Sequence, residues 1–117
     1  MAPVALTCGD PAGIGAEIAL AAKARLGDAV PFFWIGDPAH LPAGAGFQVI
    51  VDPADVAGVP SGILPVLAHS FPHNAMPGQP DLRNAQGVID VIARGVALVQ
   101  AGAASAICTL PLNKKVL

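Results

Sequence analysis

Charge is scarce in this chain. Asp, Glu, Lys and Arg make up 12% of its 117 residues, against roughly 25% in an ordinary soluble domain. Hydrophobic residues make up 54%, which excludes a disordered chain, because disorder goes with little hydrophobicity and much charge. A free-standing domain of this length exposes a large share of its surface and needs charge there. The composition therefore reads as a small domain, or a piece of a larger one, covered in part by a partner subunit or by more of its own chain.

Basic clusters are absent too. Lys23, Arg25, Arg83, Arg94, Lys114 and Lys115 are scattered against eight acids, for a formal net charge of −2. That leaves no stripe to follow a nucleic-acid backbone and no polybasic cluster to hold a membrane. Cysteine is sparse. Cys8 and Cys108 stand far apart in apolar runs, without the density of a disulfide scaffold or the paired spacing of a zinc knuckle. Both read as buried free thiols, which suits a reducing cytosol, so a cytoplasmic location is the expectation. No basic stretch followed by a long apolar run opens the chain, and no signal peptide is expected. Gly95 to Asn113 carries no charge, yet Gln100, Gly102, Ser105 and Pro111 interrupt it. A helix ending at Gly102 followed by a strand explains that stretch better than a membrane span. The protein is expected to be soluble.

What is abundant is punctuation: 13 glycines and 12 prolines. They divide the apolar runs into elements. Val4 to Cys8 reads as a buried strand running into a Gly-Asp-Pro loop. Ile14 to about Leu26 reads as a helix with Ile14, Ile18 and Ala21/Ala22 on one face. Pro31 to Ile35 and Phe47 to Val51 read as strands, stopped by Gly36-Asp37-Pro38 and Asp52-Pro53. Between Gly58 and Pro80 stand eight prolines and glycines. The middle, Ala54 to Arg83, therefore reads as irregular surface or a hinge or lid, with Leu64 to Leu67 a short strand that Pro65 assigns to an edge. Asn84 to Ala101 reads as a helix with Asn84 as N-cap, Val88, Ile92, Val96 and Val99 near one face, and Gly102 as its end. Ala106 to Thr109 reads as a last buried strand. Continuous apolar strands alternating with helices argue an α/β fold with a mainly parallel sheet flanked by helices.

In such sheets chemistry gathers outside the carboxyl ends of the strands. Two loops fall there. Gly9-Asp10-Pro11-Ala12-Gly13-Ile14-Gly15-Ala16-Glu17 joins a strand to a helix start, where glycines permit close approach of a ligand and free N–H groups suit an anion. It is neither the dinucleotide fingerprint, since Pro11 stands where the second glycine belongs, nor a P-loop, since Lys-Ser/Thr does not follow Gly13. A tight connection without a ligand is the competing reading. In Thr109-Leu110-Pro111-Leu112-Asn113-Lys114 a hydroxyl, an amide and an ammonium could hold a phosphate or carboxylate; capping of a following surface helix by Asn113 and Lys114 is the alternative.

Other polar residues read as structural. His69 and His73 are four apart, but Pro72 opposes a helical face and no acidic third ligand is near, so a metal there is not expected. His40 reads as ordinary surface. Ser61 and Ser105 lack a nucleophile-elbow context. Asp90 and Arg94 read as an i,i+4 pair on a solvated helix face.

Together the two loops are more specific than either alone. Thr7 to Glu17 resembles the N-terminal signature of the 4-hydroxythreonine-4-phosphate dehydrogenase family. Cys108-Thr109-Leu110-Pro111-Leu112-Asn113-Lys114 resembles that family's Thr-x-Pro-x-x-Lys segment. The order between them also matches: the Gly36-Asp37-Pro38 turn, a loop with Pro77-Gly78, and a helix opening near Asn84. The chain departs at Ala16, where the family usually has Pro, and in length, since family members run to about three times this size (a feature of the resemblance). On that resemblance, residues 1–117 correspond to the N-terminal part of a two-domain α/β enzyme akin to isocitrate and isopropylmalate dehydrogenases.

The resemblance implies oxidation of 4-phosphooxy-L-threonine at its 3-hydroxyl by NAD or NADP, followed by decarboxylation, toward pyridoxal phosphate. It implies a divalent metal (Zn, Mg or Co) acting as Lewis acid, a homodimer, and a phosphorylated small-molecule substrate. Gly9, Asp10, Gly13 and Gly15 are then candidates for cofactor binding, and Thr109, Asn113 and Lys114 for substrate binding. The family's metal-binding histidines and its Gly-His-Thr segment follow the second loop, so no catalytic or metal-ligating residue is expected within Met1 to Leu117, and this chain alone is expected to be inactive. A sister dehydrogenase of 4-phospho-threonate or 4-phospho-erythronate, and a non-catalytic α/β binding module, are the alternatives.

Overall fold

The computed structural model describes residues 2–73 and 78–112. Five strands, β1 (Val4–Thr7), β2 (Phe32–Gly36), β3 (Phe47–Ile50), β4 (Leu64–Ala68) and β5 (Ile107–Thr109), and two α-helices, α1 (Gly15–Leu26) and α2 (Ala85–Gln100), make up the frame. Short 3-10 turns cover Pro38–His40, Pro53–Gly58 and Leu82–Asn84. The strands form one sheet in the order β3-β4-β2-β1-β5, with every neighbouring pair parallel. This is the expected α/β architecture.

The central strand explains the unbroken apolar run Phe32-Phe33-Trp34-Ile35. All five residues of β2 are buried, because helices lie on both faces of the sheet and neither side can be polar. Lys23 of α1 sits 5.7 Å from the Phe32 ring, whereas Gly95 of α2 lies over Thr7 and Ile107. Val4 is in register with Phe32, and Ala5 with both Phe33 and Ile107. Strand side chains alternate, so α1 covers the Phe32 face and α2 the Ala5 and Thr7 face.

Pro65 does not mark an edge. β4 lies between β3 and β2, and Pro65 is fully buried. The Leu64 amide donates to Gly46 O on the β3 side (3.0 Å), so alternation turns the Pro65 nitrogen toward β2, where pairing begins only at Val66. A missing N–H costs no ladder bond at that point. The edges are β3 and β5. β5 is not the buried strand expected from its composition: Ile107 is half-buried, and Cys108 and Thr109 are exposed. Cys108 is therefore an exposed thiol, and Cys8 alone of the two is buried.

Both helices turn differently from their apolar patterns. α1 buries Gly15, Ala19 and Lys23, while Ile14 and Ile18 are 58% and 37% exposed. Small residues let the helix approach the sheet, and Lys23 lays its stem along that surface while its ammonium reaches Gly27 O (3.3 Å) and Asp28 (3.6 Å). α2 buries Gly87, Val88, Val91 and Gly95, leaving Ile92 and Val99 half-buried and Val96 exposed. Gly102, at φ +80°, follows its end as expected. Asn84 stands at the N-cap position of α2 as expected, but its side chain makes no cap hydrogen bond. Its buried side chain instead bridges the His73 backbone, accepting from N (3.2 Å) and donating to O (3.1 Å). No helix among the described residues is long and apolar enough to cross a membrane.

Candidate functional site at the carboxyl end of the sheet

The chain runs from β1 to β2 on one side and, after β4, crosses back through α2 to β5 on the other side of β1. The order therefore reverses between β1 and β5, and a crevice opens outside the carboxyl ends of such a pair. The two loops singled out by composition leave from these two strands.

They are tied to each other. The Leu110 amide donates to Thr7 O (3.1 Å) and the Asp10 amide to Pro111 O (3.0 Å). Gly9 has φ +69°, and a Cβ there would lie 2.8 Å from Leu110 O. A Cβ on Gly15 would lie 2.5 Å from Cys8 O and 3.3 Å from the Leu110 Cβ. Both glycines thus make room for the second loop. Gly13 is different: it is exposed, its φ is not positive, and its nearest would-be neighbour is Asp10 O at 3.3 Å.

Asp10 is half-buried, and its Oδ1 accepts from the Ala12 amide (3.0 Å) while its carbonyl accepts from Gly13 N (2.9 Å). This local turn delivers the chain into α1 with Ile14 as N-cap and no side-chain cap. Amides of a helix's first turn have no partner within the helix and face outward. Thr109 is exposed beside this turn, and Asn113 and Lys114 lie outside the described residues. Cys8, beneath the loop, has its thiol pushed up to about 12 by burial, which suits packing rather than nucleophilic chemistry.

A second polar group stands at the carboxyl ends of β2 and β4, and reading the sequence alone missed it. Asp37 Oδ2 accepts from the Phe71 amide (2.9 Å), and His40 Nε2 meets His73 O (3.1 Å). Phe71 packs between His40, 5.1 Å away centre to centre, and His69, 6.0 Å away. Arg94 reaches from α2 to Ala68 O (2.9 Å) and His69 Nδ1 (3.3 Å). So His40 is not plain surface, and Arg94 does not pair with Asp90, which instead accepts from Gln86 (2.8 Å). The signal was the helix phase, which points position 94 at β4, and that phase follows only from where α2 docks.

No group of three His, Cys, Asp or Glu that could hold a metal occurs among the described residues. Of the pair with ligand spacing, His69 turns its Nδ1 to Arg94, and His73 is held through its backbone N and O, with no third ligand beside them among the described residues. A divalent metal does not fit these residues. A nicotinamide cofactor fits in part: the first-turn amides of α1 and exposed Gly13 suit an anionic group, whereas the space over Gly9 and Gly15 is filled. A cavity of about 580 Å³ lies at the opposite, amino end of the sheet, lined by Pro3, Lys23, Pro31, Asp52 and Val59 among others. It is remote from both loops.

Sheet, crossovers and paired loops define a doubly wound α/β protein with its switch point, the place where such sheets bind ligands, between β1 and β5. No family model matches the chain. It is 58% identical over 116 residues to the 4-hydroxythreonine-4-phosphate dehydrogenase of Roseobacter denitrificans, a match covering 99% of this chain and 36% of that protein. To the enzyme of the same name from Paracoccus denitrificans it is 53% identical, covering 98% of this chain and 34% of the relative. Among solved structures, 4-hydroxythreonine-4-phosphate dehydrogenases from Klebsiella pneumoniae and Burkholderia phymatum superpose with a TM-score of 0.83 at 28% identity, each over 99% of this chain and 39% and 38% of theirs. Along its length the chain is similar to the N-terminal part of proteins named 4-hydroxythreonine-4-phosphate dehydrogenase, and it spans about a third of the length of the curated relatives it matches.

Proposed function

We propose that this chain forms the switch-point crevice of an NAD- or NADP-dependent dehydrogenase acting on 4-phosphooxy-L-threonine in pyridoxal phosphate biosynthesis. The observation that carries the reading is the locking of the glycine loop to the Thr109 loop through Asp10 N and Pro111 O at 3.0 Å, in a chain related to enzymes of that name along its whole length. In this reading Gly13 and the first turn of α1 border the cofactor, with Gly9, Asp10 and Gly15 shaping the loop. Thr109, Asn113 and Lys114 face the phosphorylated substrate. The hydride acceptor is the nicotinamide. The chain's own residues orient and bind, and a divalent metal would be held by residues other than those described. A homodimer in the cytoplasm completes the proposal.

A chimera tests it. Met1–Leu117 replaces the matching segment of the Roseobacter denitrificans enzyme, and NADH absorbance is followed with 4-phosphooxy-L-threonine, and with 4-phospho-threonate and 4-phospho-erythronate in parallel. Turnover within about tenfold of the parent, a difference of ~1.4 kcal/mol, is expected on the first substrate. A folded chimera that is inactive, or one that prefers the phospho-acids, overturns this substrate. Within that chimera Lys114→Met should depress turnover and Lys115→Met should not, since the first removes the loop's cation while keeping most of its stem.

A further inference from the structure

We infer that His69 and Arg94 form a proton-operated latch that fastens the segment leaving β4, Ala68–His73, to helix α2. The inference is independent of the proposed reaction and rests on hydrogen-bond chemistry. A guanidinium can only donate, so at 3.3 Å from Arg94 Nη1 the His69 Nδ1 is the acceptor. The ring proton then sits on Nε2. The same Arg94 nitrogen donates to Ala68 O at 2.9 Å, so one side chain from α2 grips two consecutive residues at the end of β4. Beyond the grip, the segment is held by Asp37 at the Phe71 amide and by Asn84 at both His73 backbone atoms.

Protonation of His69 removes the acceptor and sets a second cation beside the guanidinium. The groups facing His69 are Arg94 and Asp90 from α2, Asp37 from the turn after β2, and the Phe71 ring. Burial, then Arg94, push the His69 pKa below its ordinary value of 6.5, against the opposing pull of Asp90 and Asp37. The sign follows: the latch is fully closed above that ordinary value and is lost as pH falls through the lowered one. At His40 the roles are reversed: its Nε2 donates to the His73 carbonyl oxygen.

The test is long-range ¹H–¹⁵N NMR of the histidine rings in the 117-residue chain from pH 8 to pH 5, with hydrogen exchange at the Phe71 amide corrected for its intrinsic pH dependence. The expected results are an Nε2–H tautomer of His69 at pH 8, a midpoint below that of a histidine peptide, and a several-fold loss of Phe71 protection as His69 titrates. Arg94→Met should move the midpoint upward. His69→Gln keeps a neutral acceptor and should abolish the pH dependence of protection. A His69 midpoint at or above the peptide value in the unmutated chain overturns the latch, and so does a pH-dependent loss that persists in His69→Gln. Because the first result needs no variant, the inference stays decidable if a substitution prevents folding.

Discussion

A methyl group on Gly9 would need space held by the Leu110 carbonyl, 2.8 Å away, and a φ of +69° that alanine rarely adopts. Strain and overpacking each cost on the order of 1–3 kcal/mol, so Gly9→Ala is expected to destabilise the chain by about 2–6 kcal/mol in urea unfolding. Gly13→Ala should cost less, about 1 kcal/mol, since its φ is ordinary and its Cβ would crowd only the Asp10 carbonyl oxygen at 3.3 Å. Equal losses at the two positions would mean that the loops are not held together as described. The cysteines separate by burial alone. At pH 8 a thiol reagent should modify exposed Cys108 and leave Cys8, with its pKa pushed up to about 12, untouched until denaturant is added. Native labelling of Cys8 at the rate of Cys108 would contradict its burial.

At the scale of the element, α2 carries two glycines that helix propensity disfavours by about 1 kcal/mol each. Packing explains them. A Cβ on Gly87 would lie 2.5 Å from the Phe71 ring, and one on Gly95 2.8 Å from the Ile107 Cδ1. Phe71 is pinned by Asp37 through its amide and flanked by His40 and His69, so its ring has little room to yield. Gly87→Ala is expected to destabilise by about 1–3 kcal/mol despite the better propensity. Gly95→Ala should cost less than Gly87→Ala, because the Ile107 Cδ1 methyl can rotate away, leaving the tighter contact to Thr7 Cγ2 at 3.3 Å. Denaturation midpoints of the two variants decide this, and a stabilised Gly87→Ala would refute the packing account.

At the scale of the molecule, the low charge seen in the composition reappears as apolar surface. Ile14, Val51 and Leu82 are 58%, 90% and 71% exposed, and Ile89 and Val96 stand out from α2. The 117-residue chain in isolation should therefore self-associate, with light scattering that rises with concentration. It should also fail to reduce NAD when given a divalent metal and 4-phosphooxy-L-threonine, because it spans about a third of the length of the dehydrogenases it resembles. Turnover near that of a full-length relative, from a monodisperse monomer, would refute both expectations.

Much of this was legible in the residues. Unbroken apolar strands alternating with helices meant a parallel sheet with both faces covered, and the loops after Cys8 and Thr109 were placed at its carboxyl end by chain direction alone. The relatives bear out the family that those loops suggested. What could not be read was anything that depends on which surfaces meet. Strand order put Pro65 inside the sheet and Cys108 at its edge, because pairing partners are distant in sequence and their order leaves no local trace. Helix phase turned Ile14 and Ile18 outward and buried Lys23, because close approach favoured small residues and a lysine stem over the more apolar side chains. The Asp37, His40, His69 and Arg94 cluster arose in the same way. Its members lie on a turn, a strand end and a helix: the pairing of β4 beside β2 brings Phe71 to Asp37, and the docking of α2 on the sheet brings Arg94 to Ala68 and His69. Local chemistry settles what each segment is; long-range packing settles which groups become neighbours.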